Sequence, residues 1–61
     1  MMTVRHDNDT WRVLNIGIAR NGKSFCHLAS TTRGTQQKNG WYPLQINDWV
    51  DINAIQRTAP Q

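Results

Sequence analysis

Residues 10–47, TWRVLNIGIARNGKSFCHLASTTRGTQQKNGWYPLQIN, decide the fold, because two Asn-Gly dipeptides cut them into three runs of strand character. A type I′ hairpin turn needs φ > 0 at both central residues, which Asn tolerates and Gly adopts freely. Asn21-Gly22 and Asn39-Gly40 therefore predict a three-stranded antiparallel meander with strands Thr10–Arg20, Lys23–Lys38 and Trp41–Asn47.

A two-residue loop also fixes which residues face each other, and alternate residues share a face. The first turn sets Ile18 opposite Phe25, and the second sets Tyr42 opposite Gln37. Following the alternation, Leu14, Ile16, Ile18, Phe25, Ala29, Tyr42, Leu44 and Ile46 collect on one side, the expected core face. Trp11, Val13, Ser24, Cys26, Leu28, Ser30, Lys38 and Trp41 collect on the other, expected to be open. A bulge near Arg33-Gly34 would break this phase, and Gly34 is where a bend in so long a strand is expected.

Beyond the meander, NDWVDINAIQRT is expected to form a short helix over Asp48–Gln56. Asn47 or Asp48 caps it, and Trp49, Ile52 and Ile55 form a narrow apolar stripe. The expected fold class is thus α+β, a three-stranded β-meander with one C-terminal helix. Val50, Ile52 and Ala54 also alternate, which leaves a strand closing a small all-β barrel as the alternative. Residues 1–9 read as a polar N-terminal arm, 10–57 as one small domain and 58–61 as a tail.

The whole chain is 61 residues long with 38% hydrophobic residues, a thin core for an independent domain. No apolar run approaches a membrane span, and MMTVRHDNDT has no apolar signal region. A soluble, cytoplasmic protein is expected. A single cysteine, Cys26, excludes an intrachain disulfide and a cysteine-rich zinc site.

Formal charge is +3, and its placement matters more than its size. All four acids are aspartates, at positions 7, 9, 48 and 51, so Thr10 to Asn47 carries only positive charge, from Arg12, Arg20, Lys23, Arg33 and Lys38. An unmixed basic segment interleaved with tryptophans points to an anionic partner, since bases stack on Trp while Arg and Lys neutralise phosphate. The expected binding residues are Trp11, Arg12, Arg20, Lys23, Arg33, Lys38 and Trp41, on nucleic acid with DNA favoured. A sheet backed by one C-terminal helix resembles, in layout alone, the small DNA-binding arms of integrases.

The same tryptophans would equally serve a protein interface. The alternative is therefore a phage- or plasmid-type inhibitor docking this face on a host protein, or a homodimer. Catalysis is not expected. Cys26 and His27 are adjacent on a strand and point to opposite faces, no metal-ligand spacing is present, and the glycines form no phosphate-cradling loop. Neither cofactor nor metal is expected.

Overall fold

A computed structural model describes residues 1–57 of the chain; the predicted 58–61 tail lies outside the described residues. The strands are β1 (Met2–His6), β2 (Asp9–Arg20), β3 (Lys23–Gln37), β4 (Gly40–Asp51) and β5 (Ile55–Arg57), with a single 3-10 turn at Ile52–Ala54 between the last two. They form one antiparallel sheet in the order β4-β3-β2-β1-β5. The predicted C-terminal helix is absent, and so is the layout shared with the integrase arms. The barrel alternative fails too, because β4 and β5 end the sheet as unpaired edges.

Local chemistry accounts for the strand where a helix was expected. Val50 stands between two aspartates, Asp48 and Asp51, that satisfy nearby backbone instead of capping a helix. Asp48 Oδ1 accepts from the Trp49 amide at 2.8 Å, and Asp51 Oδ1 accepts from the Asn53 amide at 2.9 Å, capping the 3-10 turn. The Ile52 amide donates to the Gly22 carbonyl at 3.2 Å, tying the end of β4 to the first Asn-Gly turn. The chain then reverses, and β5 pairs with β1, setting Ile55 opposite Val4.

The stretch read as a polar arm contributes β1. Its link to β2 is Asp7-Asn8, with φ of 50° and 58°, a type I′ geometry in which short polar side chains replace glycine. At the first Asn-Gly turn, Asn21 and Gly22 take φ of 50° and 79°, and Arg20 faces Lys23 as expected. The second turn is displaced by one residue. Lys38 and Asn39 form the loop, and Gly40, at φ 130°, opens β4.

The buried face is the reverse of the expected one. Val4, Trp11, Val13, Cys26, Leu28 and Val50 form the core, with Met2, Ile16, Ile46 and Ile55 packed against it. Leu14, Ile18, Phe25, Tyr42 and Leu44, expected inside, are exposed, whereas Ala29, also expected inside, is buried. Two facts produce the inversion. The additional strand β1, the strand β5 and the extension of β4 bring Val4, Ile55 and Val50 to the face that Trp11 and Leu28 share. Bulges between Val13 and Asn15, between Ile16 and Ala19, and between Ala29 and Gly34 shift the phase and carry Ile16 and Ile46 across to it. The last of these is close to the bend anticipated at Gly34.

The sheet curls around this core. In a flat sheet β1 and β4 would stand three strand spacings, about 14 Å, apart. Instead His6 Nε2 on β1 lies 3.0 Å from Asp48 Oδ2 on β4, and Val4 and Val50 belong to one core. The molecule thus has a filled concave side and a convex side open to solvent.

Candidate nucleic-acid interface

Directly opposed residues in an antiparallel sheet share a face, so the pairing assigns each paired charged side chain to one side, Arg57, opposite Met2, falling on the side of Val4. Val4, Trp11 and Ser30 are buried inward. Their neighbours Arg5 on β1 and Arg12 on β2 therefore point outward, with Arg12 set between Thr3 and Ala29. Ser24 and Val50 are opposed and buried, which turns the next rung, Arg20, Lys23 and Asp51, outward as well. The rung beyond Ser24 carries Phe25 opposite Trp49, and the one after that His27 opposite Asn47.

The convex face consequently holds Arg5, Arg12, Arg20 and Lys23 against one carboxylate, Asp51, at its margin. The other aspartates lie elsewhere: Asp9 and Asp48 on the concave side, Asp7 in the β1–β2 turn. Hydrogen bonds and ion pairs occupy those groups, and only Asp9 is buried. Asp9 accepts from the Ser30 hydroxyl at 2.6 Å, the Thr32 hydroxyl at 2.8 Å, the Thr10 amide at 2.7 Å and Arg33 Nε at 3.3 Å. These bonds, the Ser30 one foremost, outweigh the opposing effect of burial and hold its pKa down to about 2. Asp48 is likewise held below the usual carboxylate range, first by the Trp49 amide and then by His6.

Two exposed aromatic rings stand among the convex cations. Phe25 and Trp49 meet edge to face with centroids 5.1 Å apart, and the Arg20 guanidinium lies 6.0 Å from the Trp49 ring. Arg20, Asn21, Lys23 and Trp49 line an open cleft of about 330 Å³. A ring face beside two cations can receive a base and its phosphate together. Nearby, His27 Nε2 is within 2.9 Å of Gln45 Oε1, so the imidazole has its polar partner on this face.

Of the residues expected to bind, the fold puts Arg12, Arg20 and Lys23 on the convex face, Arg20 and Lys23 as opposed neighbours and Arg12 eight residues away along β2. Trp11 is 1% exposed and serves the core, donating from Nε1 to the His6 carbonyl at 2.6 Å. Arg33 lies over it, 5.0 Å from the ring centroid, and is held by Asp9 and by Asp7 at 3.6 Å. Its charge is spent inside the protein. Lys38 and Trp41 sit on the far half of the β3–β4 hairpin, away from the cluster. Cys26 is fully buried, with burial pushing its thiol pKa up.

Sequence reasoning missed Arg5, Phe25 and Trp49. Reading Asp7-Asn8 as a turn would have placed Arg5 in a strand, and the Val50–Ile52 alternation would have placed Trp49 beside Phe25. Among the described residues no cluster of metal-ligating side chains is present, and no helix is long and apolar enough to cross a membrane. No protein-family model, curated protein or solved structure matches the chain.

Proposed function

We propose that the protein is a small nucleic-acid-binding accessory protein that works through the convex face. The observation that carries the proposal is the separation of charge by face. Four cations and two exposed aromatics share one side with a single carboxylate, whereas random placement would mix the signs as soluble surfaces usually do. Arg5, Arg12, Arg20 and Lys23 supply phosphate contacts, and Trp49 with Phe25 supplies stacking. The role is binding and not catalysis, since Cys26 is buried, its thiol is disfavoured from ionising, and it faces away from His27. The proposal places the protein in the cytoplasm, where nucleic acid is accessible and an unpaired cysteine stays reduced.

A rival reading, docking on a host protein, draws on the exposure of Ile18, which is 87% accessible near the first hairpin tip. Of the face expected to support self-association, Trp11, Val13, Leu28 and Trp41, the first three form the core and only Trp41 remains exposed.

Salt separates the readings. Binding of a short labelled DNA oligonucleotide followed across salt concentrations should weaken linearly on a logarithmic plot, with a slope of about −0.9 per duplex phosphate neutralised. Replacing Arg12 and Lys23 together by alanine should weaken binding to every sequence and flatten that slope. No binding to single- or double-stranded DNA in low salt would eliminate the proposal and leave the protein-docking reading.

A further inference from the structure

The far end of the β3–β4 hairpin is not used by the convex face. Pairing of β2 with β3 stops at Trp11 and Ser30, and beyond the bulge β3 and β4 continue alone through four rungs, from Gly34 opposite Pro43 to Gln37 opposite Gly40. A two-stranded ribbon is marginal in water unless something holds it. Its base is held firmly here. Ser30 Oγ accepts from the amides of Thr32 and Arg33 at 3.1 and 2.8 Å, and Ser30, Thr32 and Arg33 all bond to buried Asp9. Midway, a Cβ on Gly34 would lie 2.5 Å from the Trp41 ring, so the absence of a side chain lets that indole lie flat against the backbone.

The two faces of the ribbon differ. On one, Trp41 covers Gly34 and the Gln36 amide donates to its own neighbour's carbonyl, that of Gln37, at 3.1 Å. On the other, Thr35 faces Tyr42, and Gln37 faces Gly40, which offers no side chain to cover the glutamine head. No acid occurs from Ser30 to Asn47, and exposed Lys38 stands at the tip. Two strands about 4.8 Å apart with their side chains match a B-DNA major groove about 12 Å wide, which admits such a ribbon. Four rungs, three intervals of about 3.4 Å, span about three base-pair steps.

Resting on the nucleic-acid reading above, we infer that the β3–β4 ribbon enters the major groove of duplex DNA. There Gln37 and Thr35 hydrogen-bond to base edges and Lys38 meets a phosphate. Gln has the donor and acceptor needed for the adenine N6 and N7 edge. The narrow major groove of duplex RNA excludes the same ribbon.

The test is selection of a preferred sequence from random DNA duplexes, followed by affinity measurements on that duplex and altered forms of it. Replacing its adenines by 7-deazaadenine removes a major-groove acceptor and leaves phosphates and minor groove intact. The inference expects that change, and Gln37→Ala in the protein, each to weaken binding about fivefold or more, without further loss when combined. Gln36→Ala should leave affinity unchanged. An RNA duplex of the same sequence should bind more weakly than the DNA. Binding that is indifferent to 7-deazaadenine and to Gln37→Ala, or that favours RNA duplex or single strands, would overturn the inference while leaving the convex-face proposal standing. Failure to bind any oligonucleotide would overturn both.

Discussion

Trp11 is 1% exposed and Trp49 is 40% exposed, and the same side chain therefore answers to different physics at the two positions. Trp11→Ala should cost about 3–5 kcal/mol, through lost burial and an unfilled cavity, and should also release Arg33 from the ring it covers. Urea unfolding would measure this as a lower midpoint. Trp49→Ala should cost less, about 1–2 kcal/mol, since two-fifths of its surface is exposed and what it loses is its edge contact with Phe25. It should also weaken oligonucleotide binding, by up to the ~1–3 kcal/mol that one stacked base contributes. Asp9 gives a prediction in pH. Its folded pKa of about 2 lies below the unmodified value of 3.8, so the stability it contributes is complete above about pH 4 and is lost as pH falls towards 2. Asp9→Asn should be less stable at neutral pH and should show a shallower loss of stability over that acidic window, as read by unfolding at a series of pH values.

Among the elements, the β3–β4 hairpin depends most visibly on one position. A Cβ on Gly34 would sit 2.4 Å from the Tyr42 carbonyl oxygen, a backbone atom that cannot swing aside. Gly34→Ala should therefore cost about 1–3 kcal/mol, the usual range for overpacking. Amide exchange should accelerate from Gly34 to Tyr42 and remain slow at Val13 and Leu28. The hairpins themselves were legible in the sequence because Asn-Gly carries its backbone requirement in its composition. β1 was not, since Asp7-Asn8 reaches the same left-handed geometry without a glycine to announce it. The inversion of faces has a related cause. Alternation sorts residues into two sets but does not say which set is buried. That choice was made by Val4, Val50 and Ile55, each in a segment read as arm or helix. The bulges in β2 and β3 then moved Ile16 and Ile46 between the sets, and only Gly34 gave notice of one. Of the candidate site, Arg12, Arg20 and Lys23 were visible through their charge alone, as cations of a segment without acids; the first turn places Arg20 opposite Lys23, but two bulges separate Arg12 from it.

At the scale of the whole molecule, curling of a single sheet gives a filled concave side, where Arg33 is paired with Asp9, and an exposed convex side, where four cations stand against one carboxylate. If Arg5, Arg12, Arg20 and Lys23 each neutralise one phosphate, the slope of log affinity against log salt on duplex DNA should be about −3.6. A slope near zero would mean that the face meets something other than phosphate. The most direct measurement is nuclear magnetic resonance mapping of backbone amides as a short DNA oligonucleotide is added at low salt. The account predicts that signals of Arg5, Arg12, Lys23, Phe25, His27 and Trp49 move together, while those of Val4, Trp11, Val13 and Leu28, which face inward, stay in place. Movement centred on the inward set, or no movement at all, would contradict it.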